Sequence, residues 1–119
     1  MVTTPQEGAK AITFRNHFAG TLHFSQVKIP TYPGVTFNNI LAPDTSKGRA
    51  LETLASHLGI ALAEVAAVGD GQNDISLLST AGLAIAMGNA HDDLKQIADH
   101  VTLDVTQDGL AAAIRKFLV

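Results

Sequence analysis

Gly69-Asp70-Gly71-Gln72-Asn73-Asp74 is the stretch on which the fold of this chain turns. It places two carboxylates and the Asn73 carboxamide within five residues, with glycines that let the backbone bend tightly. Upstream, Glu64-Val65-Ala66-Ala67-Val68 is short, apolar and bounded by turn residues, as the end of a buried strand is. Downstream, Ile75-Ser76-Leu77-Leu78 opens a helical pattern. The acids therefore project from a strand-to-helix turn at the carboxyl end of a parallel strand, the edge where open α/β sheets hold their ligands. Carboxylate oxygens there suit a hard cation such as Mg²⁺. That ion takes only one or two carboxylates and shares its other positions with water and phosphate.

Working outward, the pattern repeats. Ser46 is placed to cap a helix in which Leu51, Leu54 and Leu58 recur at helical spacing, and Gly59 stops it. After the acidic turn a helix is expected to about Thr80. Leu83-Ala84-Ile85-Ala86-Met87 then reads as a buried strand ending at Gly88. His91 to Ala98 reads as a helix with Asp92 and Asp93 favourably placed in its first turn. A short strand over His100 to Leu103 follows. The last helix, Gln107 to Leu118, is opened by Asp108-Gly109 and carries Leu110, Ile114 and Leu118 or Phe117 on one face. Helices alternating with strands mean βα units and a parallel sheet.

The first forty or so residues differ in texture. They hold all four prolines and the aromatic residues Phe14, Phe18, Phe24 and Tyr32. A helix is expected from Gln6 to Phe18. Alternating strands are expected over Leu22 to Val27 and Val35 to Leu41, with a turn at Pro30 and Pro33-Gly34. The boundary between the two textures falls near Ala42-Pro43-Asp44.

Composition narrows the function classes. At 119 residues the chain is long enough for one compact domain, and 46% hydrophobic content supplies a core. The net charge of −3 and the lack of a basic cluster give nucleic acid no footing. No apolar run approaches the ~20 residues of a membrane span. The amino terminus lacks the pattern of a signal peptide. With no cysteine, disulfides, thiolate chemistry and cysteine-ligated zinc are excluded. A cytoplasmic protein is the expectation.

Position alone leaves several residues with two readings. Lys47, in Asp44-Thr45-Ser46-Lys47-Gly48, is a solvated surface lysine or a point charge set against a phosphate at a helix start. Asp74 could be a helix cap, although a cap alone does not account for two acids, an asparagine and two glycines. Asn73 could contact a phosphate oxygen, hold a carboxylate, or simply be a turn residue. Gly88-Asn89-Ala90 reads as a tight turn with Asn89 as the helix cap. The five histidines fall in no metal-ligand pattern.

Three blocks taken together resemble the haloacid dehalogenase (HAD) superfamily, and within it the carboxyl-terminal half of the Cof-type sugar-phosphatase group. They are Ser46-Lys47-Gly48, the acidic turn about two dozen residues later, and Ala81-Gly82-Leu83-Ala84-Ile85-Ala86-Met87-Gly88-Asn89-Ala90. P-type ATPases share a similar turn, but Asn89-Ala90-His91-Asp92-Asp93-Leu94-Lys95 is closer to the phosphatases. The resemblance implies a Rossmann-like core and Mg²⁺-dependent hydrolysis of a small phosphorylated metabolite through an aspartyl-phosphate. Lys47 would contact both the nucleophile and the transferring phosphoryl group. Asp70 would be the direct Mg²⁺ ligand, Asp74 its second and often water-mediated support, and Asn73 a substrate contact. The family nucleophile lies in an Asp-x-Asp motif, and no Asp-x-Asp occurs in this chain.

Residues 1–43 are similar to the tail of an inserted α/β cap with its return linker, and residues 44–119 to the carboxyl-terminal half of the core. The chain is thus expected to begin inside the cap and to be inactive alone. Its partner would be an amino-terminal HAD half or a second copy of itself. The alternative is a non-catalytic Mg²⁺- or phosphate-binding regulatory module.

Overall fold

The computed structural model describes residues 2–3, 8–28 and 34–119. The chain divides into two compact units, Met1–Thr45 and Ser46–Val119.

The first unit is an antiparallel sheet with one helix. Strand β1 (Val2–Thr3) lies beside β3 (Thr36–Leu41), which pairs on its other side with β2 (His23–Lys28). The β2–β3 register runs from His23↔Leu41 to Lys28↔Thr36. Helix α1 (Gly8–Phe18) precedes β2 and buries none of its residues. Phe14 sits 4.7 Å from Phe18 and 6.1 Å, edge-on, from Phe24. Two residues in β1 are too few to show a strand period, so the sequence gives no sign of that strand. The start of the expected helix at Gln6 and the proline turn at Pro30 and Pro33 lie outside the described residues.

The second unit is a three-stranded parallel sheet in the order β4-β5-β6: Ala66–Gly69, Leu83–Ala86 and His100–Val101. Its helices are α2 (Lys47–Leu58), α3 (Ile75–Thr80), α4 (Asp92–Ile97) and α5 (Gly109–Phe117). The register is Ala66↔Leu83 to Gly69↔Ala86 for the first pair and Ile85↔His100, Ala86↔Val101 for the second. The central strand β5 buries Ala84, Ile85 and Ala86 in succession, as a strand covered on both faces does, whereas both residues of the edge strand β6 are exposed. Ala67, Ala84 and Ala86 form one cluster with Met87, Leu78 and Leu94. Glu64 is not in the strand. It ends a 3₁₀ turn over Leu62–Glu64 and accepts the Ala61 N–H at 3.1 Å.

The ends of α2 follow the sequence closely. Ser46 Oγ accepts the Arg49 N–H at 3.1 Å, and Gly59 closes the helix in the left-handed region at φ 68°. Its buried face does not. Leu54 and Leu58 are 54% and 58% exposed, while Gly48 and Ala55 are buried. Helix α2 packs on α3, and close approach of two backbones selects small residues at the contact, leaving the leucines outside. Helix α5 repeats the theme. Gly109 and Ala113 are buried, and Leu110, Ile114 and Leu118 are exposed. Phe117 stacks on the His100 ring of β6 at 4.6 Å. Among the described residues no helix is long and apolar enough to cross a membrane.

Candidate functional site

All four residues singled out by the sequence lie in the second unit. Asp70 directly follows β4. Its side chain is exposed, whereas Asp74, four residues on, is 7% exposed. Between them, Gln72–Asp74 forms a single 3₁₀ turn that leads into α3. This turn sends the Asp74 side chain back toward the strand end. Asp74 Oδ2 accepts the backbone N–H groups of Asp70 and Gly71, each at 3.1 Å. It makes no cap to the first turn of α3. Its role is to close the acidic turn on itself.

The other oxygen of Asp74 pairs with the Lys47 ammonium. Lys47 is the first residue of α2, and what carries it to the acidic turn is the α2–α3 contact. Gly48 N–H donates to Ser76 Oγ at 3.2 Å. A β-carbon on Gly48 would stand 2.4 Å from the Ser76 carbonyl oxygen and 2.7 Å from Thr80 Oγ1. Only glycine lets the two helices approach this closely, and the approach sets Lys47 over Asp74.

The electrostatics of the pair are asymmetric. Burial pushes the Asp74 carboxyl up. The Lys47 hydrogen bond, the Gly71 and Asp70 N–H groups and the Lys47 charge together outweigh that and hold it below the usual carboxylate value of 3.8. Asp74 is therefore a fixed anion at neutral pH. The Lys47 side chain is 50% exposed, against 7% for its partner.

Asp70 is held differently. Asn89 Nδ2 donates to Asp70 Oδ2 at 3.2 Å. Asn89 is therefore not the cap of α4, a position taken by His91. The Asn73 carboxamide lies close over Gly71, with Oδ1 2.6 Å from where a β-carbon on that glycine would stand, and it is exposed. The structure brings Lys47, Asp70, Asp74 and Asn73 to one turn at the carboxyl end of β4, and adds Asn89. An asparagine after a strand and before a helix reads as a cap. Its reach back to Asp70, 19 residues earlier at the end of β4, is a property of the parallel register, which places the end of β5 beside the end of β4.

Among the described residues no three His, Cys, Asp or Glu side chains converge as a closed protein cage around a metal would need. The site does offer one exposed carboxylate with a second acid locked behind it and a lysine alongside. That donor set fits a hard cation that keeps most of its coordination for water and phosphate oxygens.

The family model described as haloacid dehalogenase-like hydrolase matches residues 7–114. Phosphatase YwpJ of Bacillus subtilis (strain 168) is 52% identical over 73 residues, covering 61% of this chain and 26% of that protein. A haloacid dehalogenase-like hydrolase from Bacteroides thetaiotaomicron superposes with a TM-score of 0.79 at 28% identity, covering 98% of this chain and 43% of that one. A HAD subclass IIB sugar phosphatase superposes with a TM-score of 0.71 at 31% identity, covering 96% and 40%. The chain thus spans well under half the length of these relatives.

Proposed function

This chain belongs to the haloacid dehalogenase-like hydrolases, with Cof-type sugar phosphatases among its structural neighbours, and from that premise we propose that its acidic turn is the cation- and phosphate-binding wall of a phosphatase site. The reaction class is hydrolysis of a phosphate monoester, the substrate a small phosphorylated metabolite such as a sugar phosphate, and the cofactor Mg²⁺. The protein works in the cytoplasm. The observation that carries the reading is the convergence of Lys47, Asp70 and Asp74 at the carboxyl end of β4.

Each residue has a distinct task. Asp70 presents an exposed carboxylate as the direct cation ligand. Bound there, Mg²⁺ would offset the negative charge that builds on phosphoryl oxygens. Lys47 supplies the second positive charge, aimed by Asp74 so that it meets the phosphoryl group without reorganising. Preorganised charge of this kind is the main resource of phosphoryl transfer. Asp74 keeps both the lysine and the Asp70 backbone in place and supports the cation through water. Asn73, exposed beside the turn, contacts phosphate or substrate.

The covalent step needs a carboxylate nucleophile to form the aspartyl-phosphate. No Asp-x-Asp motif occurs in this chain, so that group would come from another stretch of polypeptide, either an amino-terminal HAD half or a second copy. Residues 1–43 are assigned to the end of a cap and its return linker, and residues 44–119 to the core. Among the described residues β4 is an edge strand, with a free side on which a further strand could pair.

On this reading the purified chain binds but does not turn over. We expect no Mg²⁺-dependent hydrolysis of p-nitrophenyl phosphate, and a rise in Tm with Mg²⁺ plus orthovanadate that Asp70→Asn removes. Robust hydrolysis abolished by Asp70→Asn would overturn the inactivity, and a Tm that ignores both ligands would overturn the site. The missing motif also favours a second reading, a binding or regulatory module. It is distinguished by adding an amino-terminal HAD half in trans: turnover restored by that addition excludes it.

A further inference from the structure

Asn89 makes two hydrogen bonds that constrain each other. Its Oδ1 accepts the Val105 backbone N–H at 3.0 Å, and its Nδ2 donates to Asp70 Oδ2 at 3.2 Å. A backbone N–H can only donate, so the oxygen must face Val105, and the NH₂ is thereby turned toward Asp70. The orientation of the carboxamide is fixed by its anchor.

The anchor is itself tightly tied. Met87 N–H donates to Gly69 carbonyl oxygen at 2.9 Å, Ala90 N–H to Met87 carbonyl oxygen at 2.9 Å, and Gly88 N–H to Leu103 carbonyl oxygen at 3.0 Å. A β-carbon on Gly88 would lie 2.7 Å from Asp104 N and 2.9 Å from the Leu103 carbonyl carbon. Glycine at 88 therefore lets the turn after β5 lie directly against the segment after β6. The ends of all three parallel strands are stitched into one rim, and Asn89 extends from that rim to the only exposed acid of the turn.

We propose that Asn89 is a positioning residue for Asp70. It holds one carboxylate oxygen and leaves the other free for the divalent cation, with the Val105 backbone as its fixed support. The inference rests on the reading of Asp70 as a cation ligand. Its physical basis is that a ligand oriented before the cation arrives loses less freedom on binding. Loss of such an outer partner typically weakens metal affinity about 10–100-fold. A purely structural role, in which Asn89 serves only the Val105 turn, would leave cation affinity untouched.

The test uses the ¹⁵N-labelled chain titrated with Mn²⁺, read as paramagnetic broadening of the Gly69, Asp70 and Gly71 amides, with the urea midpoint as a control for folding. We expect Asp70→Ala to abolish the broadening. We expect Asn89→Ala to raise the Mn²⁺ needed for it by on the order of tenfold while the urea midpoint still reports a folded chain. Wild-type Mn²⁺ response in Asn89→Ala, together with loss of response in Asp70→Ala, overturns the positioning role and leaves the Asp70 reading standing. No response in the wild type, or an equal one in Asp70→Ala, overturns that reading and the inference with it. A metal-free measurement covers the case of an unfolded Asn89→Ala. In Asp70→Ala the Asn89 side-chain NH₂ resonances should move while the Val105 amide stays protected from exchange. Unmoved Asn89 resonances overturn the hold on Asp70.

Discussion

The two units of this chain contain similar elements put together on different principles. In Met1–Thr45, helix α1 buries no residue, and among the described residues the one buried side chain of β3 is Asn38. In Ser46–Val119, alanines of two adjacent strands meet Leu78 and Leu94 in a continuous core, and Leu78, Ile85 and Leu94 are fully buried. What separates them is size as much as polarity. The second unit buries small residues on strands and helix contacts, which brings backbones close and fixes distances. The first spaces its elements with aromatic rings that remain partly exposed. Fixed distances are what a charge-based site needs, and every candidate site residue lies in the tightly packed unit.

The sharpest way to break this contrast is to hollow out one core and leave the other surface alone. Leu78→Ala removes a side chain 1% exposed. We expect a loss of about 2–5 kcal/mol in urea unfolding. Next in size is Asp74→Asn, which sets an amide NH₂ against the Lys47 ammonium. The expected cost is about 1–3 kcal/mol, and its pH dependence is diagnostic. Because the folded carboxyl titrates below its ordinary value of 3.8, its stabilisation is fully present above that pH. It fades as pH falls through the lowered folded value. Wild type should therefore lose stability toward Asp74→Asn on the acid side, and parallel pH profiles would refute the pairing.

Gly48→Ala tests close approach itself. A methyl 2.4 Å from the Ser76 carbonyl oxygen must push α2 from α3. We expect about 1–3 kcal/mol lost and a changed Lys47 ammonium resonance in NMR, whereas an unmoved resonance would detach Lys47 placement from helix packing. The smallest effect is expected at Ile12→Ala, 60% exposed on α1. A change within about 0.5 kcal/mol preserves the contrast, and a core-sized loss at Ile12 would erase it.

How much of this the sequence disclosed depends on the range of the interaction. Ser46 and Gly59 act within one turn, and both ends of α2 are legible from residue type. The parallel sheet follows from apolar runs at Ala66–Gly69 and Leu83–Ala86 between helical patterns. The acidic turn was legible as chemistry because its residues are adjacent. Periodicity groups Leu54 with Leu58 and Leu110 with Ile114 but does not foretell that they stay exposed, since it reports which face of a helix is apolar and not how near the neighbouring backbone comes. Ala55 and Ala113, too small to weigh in a hydrophobic pattern, took the buried positions. Asn89 reads as a cap from its neighbours alone, because its partners, Asp70 and Val105, are 19 and 16 residues away.

The order β4-β5-β6 carries one more consequence, for the time at which the site comes into being. β5 and β6 each lie beside the strand that precedes them in the chain, joined by one crossover that carries a helix, α3 for the first and α4 for the second. The Lys47–Asp74 pair joins residues 27 apart, a longer loop than either contact of Asn89. Local contacts assemble first and longer closures follow. On that ordering we expect Lys47→Ala to raise the unfolding rate more than it lowers the folding rate in stopped-flow urea kinetics, and an effect confined to the folding rate would reverse the order.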